Sequence, residues 1–186
     1  VKNNLALLTS LIRLKDQELG SEIDLSDIEH QVESVAMIHE RLQESSAITH
    51  LSLRPYIQEL LHAVLKQQQS TNIAIRTHVA DIEIESKHAV TLGLILSELA
   101  TNALKYAYPD RQEGEFSVEL KEDTKAREYF MTVTDDGVPL PTEVDLNHPN
   151  TLGLRLISNL TDQLEGTVEL EKEPHPVFTF RFPMRM

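Results

Sequence analysis

Between Glu98 and Ala107 the chain reads Glu-Leu-Ala-Thr-Asn-Ala-Leu-Lys-Tyr-Ala, and its polar members Glu98, Asn102 and Lys105 stand at offsets of zero, four and seven. On a helix those offsets bring a carboxylate, a neutral amide and an ammonium onto one face, beside an apolar stripe of Leu92, Ile95, Leu99 and Ala103. Such a row suits a magnesium-bound triphosphate. The amide oxygen is a hard ligand for the cation, the ammonium offsets phosphate charge, and the carboxylate can orient or deprotonate a nucleophile. The same spacing also describes an amphipathic helix whose polar side is merely solvated.

Two further groups of residues carry chemistry. Asp135-Asp136-Gly137 ends a run of strand-forming residues. A carboxylate there can accept a hydrogen bond from an amino group such as the exocyclic amine of adenine, with glycine allowing a tight turn. Asp-Gly is equally a surface-turn signal. Farther on, Thr151-Leu152-Gly153-Leu154 opens a helix with apolar positions Leu156, Ile157, Leu160 and Leu164, closed by Gly166. Unpaired amides at such an entry approach an anion, and the helix dipole favours negative charge there; a small residue kept for packing is the alternative. The polar, proline-bearing stretch Val138 to Asn150 lies between these groups and is long enough to be a mobile flap.

The elements that must hold these residues are legible from periodicity. In residues 1–43, Val1, Leu5, Leu8, Ile12 and Leu19 follow a four-three pattern, with Lys15 as the polar exception, beside a second stripe of Leu7, Leu11 and Leu14. After Gly20-Ser21, Ile28, Val32, Val35, His39 and Leu42 repeat the pattern. Two stripes on one helix need two partners, which a hairpin and the mate of a homodimer supply together as a four-helix bundle. Residues 45–52 are expected to be a connector. Beyond it, a helix with Pro55 in its first turn, a strand over residues 73–79, a short strand over 82–84 and a long helix over 87–107 capped by Ser86 are predicted. Strands over 116–120, 129–134, 167–171 and 177–182 follow, the last with Phe178, Phe180 and Phe182 on one face. The fold class expected is α+β. A helical hairpin over residues 1–50 precedes an α/β sandwich over 51–186, with a mixed sheet and helices on one face.

Composition excludes several functions. The 186 residues hold 17 Lys and Arg against 30 Asp and Glu, a formal net charge of −13. A chain this acidic repels nucleic acid and anionic lipid, so any phosphate it binds must be held locally. With no cysteine there is no disulfide, thiolate zinc site or cysteine nucleophile. Eight histidines show no paired metal spacing, and His39-Glu40 is followed by Gln43 where a zinc-protease motif needs histidine. His39 falls on a core stripe and is read as a buried, hydrogen-bonded residue. No apolar run is long enough to span a bilayer. A start at Val1 suggests a piece of something longer, and no membrane contact is expected of the piece.

Together these segments resemble the histidine kinases. Glu98 to Ala107 is similar to their N box, Asp135-Asp136-Gly137 to the first glycine box, Thr151-Leu152-Gly153-Leu154 to the second, and Phe178-Thr179-Phe180-Arg181-Phe182-Pro183 to the closing strand, all in family order. The ATPase superfamily is the one shared with gyrase, the ninety-kilodalton heat-shock chaperones and the mismatch-repair proteins. Val1-Lys2-Asn3-Asn4-Leu5 resembles the dimerisation segment of the second histidine-kinase subfamily, where His-Arg directly precedes it, and Ile38-His39-Glu40-Arg41-Leu42 fits the second helix of the same hairpin. The resemblance implies ATP and Mg2+ as cofactors. Asn102 would hold the metal, Lys105 would lie near the phosphates and Glu98 would act on the acceptor histidine. Asp135 would read the adenine amine with Gly137 giving room, while Thr151, Leu152, Gly153 and Leu154 would hold phosphates. It also implies a cytoplasmic homodimer, an upstream sensor domain in the parent chain and a response-regulator receiver domain as partner.

Three departures accompany the likeness. The acceptor histidine would fall two places before Val1, so the piece alone is not expected to label itself. Pro139 stands where the first glycine box has its second glycine, stiffening the flap's root. His175-Pro176 replaces a Gly-Thr pair that helps to line the adenine pocket. The prolines motivate a reading of another class, a dimerising scaffold that holds nucleotide without phosphotransfer. A serine kinase of the anti-sigma type shares the ATP fold but usually lacks a long N-terminal hairpin.

Overall fold

A computed structural model describes residues 50–66, 72–109, 113–149 and 151–184 of the chain. The hairpin expected over residues 1–50, its dimer and the buried His39 lie outside this range, apart from His50. Among the described residues seven strands and three α-helices follow in the order β1 (His50–Ser52), α1 (Leu53–Lys66), β2 (Asn72–Val79), β3 (Glu83–Glu85), α2 (Ser86–Asn102), β4 (Glu113–Asp123), β5 (Glu128–Asp135), α3 (Leu152–Gln163), β6 (Thr167–Glu171) and β7 (Val177–Pro183). A π-helical turn, Ala103–Ala107, extends α2.

The main sheet runs β2-β4-β5-β7-β6, with β2 parallel to β4 and the other pairs antiparallel. It is therefore mixed, as expected. Alternation along β5 buries Tyr129, Met131, Val133 and Asp135 and turns Phe130, Thr132 and Thr134 outward. Register joins this inward row to its neighbours: Val118 pairs with Val133 and Val133 with Phe178, while Leu120 pairs with Met131 and Met131 with Phe180. The stacked rings of Phe178, Phe180 and Phe182 lie 6.5 and 5.8 Å apart in sequence order. On the outer face Lys121 and Arg181 sit 5.3 and 5.2 Å from the Phe130 ring centre, covering its apolar surface with cations.

The helices close this core. Leu53, Ile57, Leu60, Leu61 and Val64 of α1 repeat at helical spacing and are buried with Leu92, Ile95, Leu96 and Leu99 of α2 and Ile157, Leu160 and Leu164 of α3. Leu53 donates its amide to Ile82 O at 2.9 Å, tying the start of α1 to the turn before β3.

Four boundaries differ from the sequence expectation. The connector ends in a strand, because His50–Ser52 pairs antiparallel with Glu83–Glu85, a tertiary contact that local composition does not encode. Ser86 is the first residue of α2 rather than its cap; Glu85 holds the cap position without a side-chain hydrogen bond. The long helix changes to π geometry after Asn102. At the end of α3 Glu165, not Gly166, takes the left-handed conformation, with φ 53°. Gly166 answers to space instead, since a Cβ there would stand 2.5 Å from Phe182 Cδ1 and 2.6 Å from Arg181 O.

Substituting Phe180, which has no exposed surface, tests the inward row. Phe180→Ala is expected to lower unfolding stability by about 3–5 kcal/mol, against less than about 1 kcal/mol for Thr179→Ala on the outer face. Urea titration followed by circular dichroism measures both.

Candidate functional site

A cavity of about 440 Å³ opens between α2 with its π-helical turn, the end of β5, the flap, α3 and the start of β7. That volume falls within the range of about 300–1,000 Å³ usual for small-molecule sites. Its walls are mainly apolar: Leu99, Ala103 and Ala107 from the helix, Leu154 and Ile157 from α3, and Phe178 from β7. The polar groups Asn102, Asp135 and Thr151 line the same space.

Asp135 reaches the cavity by strand periodicity. It is the fourth inward position of β5, where a carboxylate takes the place of another apolar side chain, and it is only 9% exposed. Burial raises its pKa above the usual carboxylate range, partly opposed by the Gly137 amide, which donates to Asp135 Oδ1 at 2.9 Å; the neighbouring Asp136 pushes the same way as burial and His175 against it. Asp136 points elsewhere. Its Oδ1 accepts from the Glu115 amide at 2.7 Å and its own amide donates to Glu115 O at 3.1 Å, fastening the end of β5 to β4. Gly137 presses against Ala107, whose carbonyl it abuts and whose Cβ would be 2.5 Å from a Cβ at 137. The glycine is needed for close approach, because no glycine among the described residues has a positive φ.

On the helix, Asn102 Nδ2 donates to Glu98 Oε1 at 3.3 Å. This bond leaves the amide oxygen as the hard donor that a magnesium ion prefers, so the residue fits that metal. Gly153 of α3 closes on the same pair: a Cβ there would run into Glu98 Oε1 and stand 3.5 Å from Asn102 Nδ2. Thr151 caps α3, its Oγ1 accepting from the Leu154 amide at 3.3 Å. Helix geometry then leaves the Leu152 and Gly153 amides without intrahelical acceptors, as an anion site requires.

Of the residues expected to act together, Asn102, Asp135, Thr151 and Leu154 line the cavity. Gly137 and Gly153 back its polar groups, and Glu98 sits behind Asn102 against Gly153. Only the backbone of Leu152 is described. Half-buried Lys105 does not line the cavity. The cavity row on this helix is Leu99, Asn102, Ala103, Tyr106 and Ala107, the three-four spacing of one helical face, and it brings in an aromatic ring that is 65% exposed. Sequence spacing did not single out Tyr106, nor the flap residues Val138, Leu140, Pro141 and Val144, which also line the space. The signal for the flap residues was their apolar character within a segment of polar composition. Pro139 and Pro176 belong to the wall without filling the cavity, and His175 Nδ1 stands 3.4 Å from Gly137 O.

A family model described as histidine kinase matches residues 1–68, and one described as histidine kinase-like ATPase domain matches residues 62–173. Blue-light-activated histidine kinase 2 of Erythrobacter litoralis (strain HTCC2594) is 27% identical over 182 residues, covering 92% of this chain and 51% of the relative. Sensor histidine kinase PdtaS of Mycobacterium tuberculosis is 29% identical over 175 residues, covering 90% of this chain and 34% of its own. The chain thus spans about half or less of the length of these relatives. Among solved structures, the histidine kinase domain of the Erythrobacter litoralis EL346 blue-light activated histidine kinase superposes with a TM-score of 0.77 at 22% identity, over 97% of this chain and 85% of that one. This last likeness concerns the fold alone.

The raised pKa of Asp135 carries a stability consequence. A carboxyl easier to protonate in the folded state than in the unfolded chain favours folding below its unfolded pKa, and that contribution is lost as pH rises through the folded value. Asp135→Asn is expected to stabilise the ligand-free protein at neutral pH, with the gain shrinking as pH falls through the carboxylate range. Thermal melts of both proteins between acidic and neutral pH measure it.

Proposed function

The chain belongs to the histidine kinases and carries their ATPase domain, and on that premise we propose that it is the ATP-dependent core of a two-component sensor, working as a homodimer in the cytoplasm. The observation that carries the reading is the single cavity lined by both Asn102 and Asp135. A metal-ligand amide at one place and a buried acceptor at another, with an apolar surface around them, match a purine triphosphate, which needs both ends recognised.

In this reading Asp135 accepts the adenine amine, with the Gly137 amide holding the carboxylate in place, while Ala103, Ala107 and Phe178 receive the base. Asn102 ligates Mg2+, which when bound neutralises phosphate charge. The Leu152 and Gly153 amides at the start of α3 take phosphate oxygens, and Lys105 lies near them. Glu98 orients the acceptor imidazole and draws the proton from one ring nitrogen while the other, unprotonated nitrogen attacks the γ-phosphorus, releasing ADP. With so little covalent work left to the protein, positioning and electrostatic stabilisation supply most of the acceleration. The phosphohistidine then passes its phosphoryl to an aspartate on a response-regulator receiver domain. The division into a phosphotransfer unit over residues 1–50 and a catalytic unit over 51–186 belongs to the same proposal.

A scaffold that holds nucleotide without transfer is the second reading, favoured by Pro139 and Pro176 in the cavity wall. One experiment separates them. The chain, extended upstream through the expected His-Arg pair and given Mg2+ and labelled ATP, should acquire acid-labile phosphate. Asn102→Ala should reduce the label by about 10²-fold or more. Unchanged labelling in the variant removes the site assignment, while nucleotide bound without label in the parent chain favours the scaffold.

A further inference from the structure

Pro139-Leu140-Pro141 forms part of the outer wall of the cavity. Proline has no backbone N–H, so this stretch has a single main-chain donor, the Leu140 amide. It donates to Lys172 O at 3.3 Å. Lys172 directly follows β6, and its Nζ reaches across to donate to Thr142 O at 2.9 Å. One residue thereby grips the flap on both sides of Pro141, through its carbonyl before the proline and its ammonium after it. The ends are fastened separately: Val138 donates its amide to Ala107 O at 2.9 Å, and Arg155 Nε donates to Pro149 O at 3.2 Å.

We infer that Lys172 is a positioning residue for the nucleotide, holding Pro139, Leu140 and Pro141 as a preformed wall beside the base. The inference rests on the ATP reading above and deepens it. A flap already docked has less conformational freedom to lose when ligand binds, so affinity rises without any new contact to the ligand. The lysine suits the task because a long apolar stem carries a terminal donor to a distant carbonyl. Since its ammonium is directed to Thr142 O rather than to a phosphate, its contribution is independent of how many phosphates the nucleotide carries.

Calorimetric titration with Mg2+ and either ADP or a non-hydrolysable ATP analogue tests this, together with amide exchange of Leu140 in the nucleotide-free protein. Lys172→Met is expected to weaken both nucleotides by the same factor, about threefold to tenfold, and to speed Leu140 exchange. Lys172→Arg, which keeps a terminal donor, should restore both. A loss that grows from ADP to the ATP analogue would make Lys172 a phosphate ligand and overturn the inference. If the wild type binds neither nucleotide, the ATP reading falls and this role with it. If it binds both and Lys172→Met changes neither affinity nor exchange, this role alone falls.

Discussion

A carboxylate at the inner end of an apolar strand row is the constraint on which the rest of the site depends. Tyr129, Met131 and Val133 bring β5 into the core by strict alternation, and the same alternation commits Asp135 to the interior. An ionised group there is tolerated only if it is hydrogen-bonded. The Gly137 amide meets that need within the turn, and the turn has room for it only because residue 137 lacks a Cβ and can lie against Ala107. The acid, its glycine and the end of the π-helical turn therefore form one unit. Asp136 secures it from outside by fastening the strand end to Glu115.

The opposite wall is assembled by a similar economy of space. Gly153 lets α3 approach α2 closely enough for its entry to touch Glu98 and Asn102, bringing the helix start to the residues suited to metal and proton chemistry. Past Asn102 the helix widens into a π turn. Tyr106 joins the cavity and Lys105 lies outside it. Helix widening at a functional position is a familiar use of π geometry.

Much of this was legible from residue order. Alternating strands and three-four helical spacing mark β5, β7, α1 and α2 because burial of one face leaves a periodic trace. Asn102, Asp135, Thr151 and Leu154 were expected at one site and line one cavity. What escaped depends on contacts between distant segments. The pairing of His50–Ser52 with Glu83–Glu85, the π-helical turn and the left-handed Glu165 beside a sterically required Gly166 have no local signature. Composition also misjudged the flap. Counted as polar, it nevertheless turns Val138, Leu140, Pro141 and Val144 to the cavity, a choice made by docking and not by average hydropathy.

Strands β2 and β4 are parallel, so the chain must travel from one end of the sheet back to the other between them, and α2 makes that return journey. Asn102 is carried on the crossover itself, whereas Asp135 arrives only with the hairpin that follows. A folding intermediate containing just the antiparallel strands would own the acid but lack the amide. Occupancy by ligand is consequently linked to completion of the whole α/β unit, and whatever binds at the cavity acts as a clamp on global unfolding rather than on one loop.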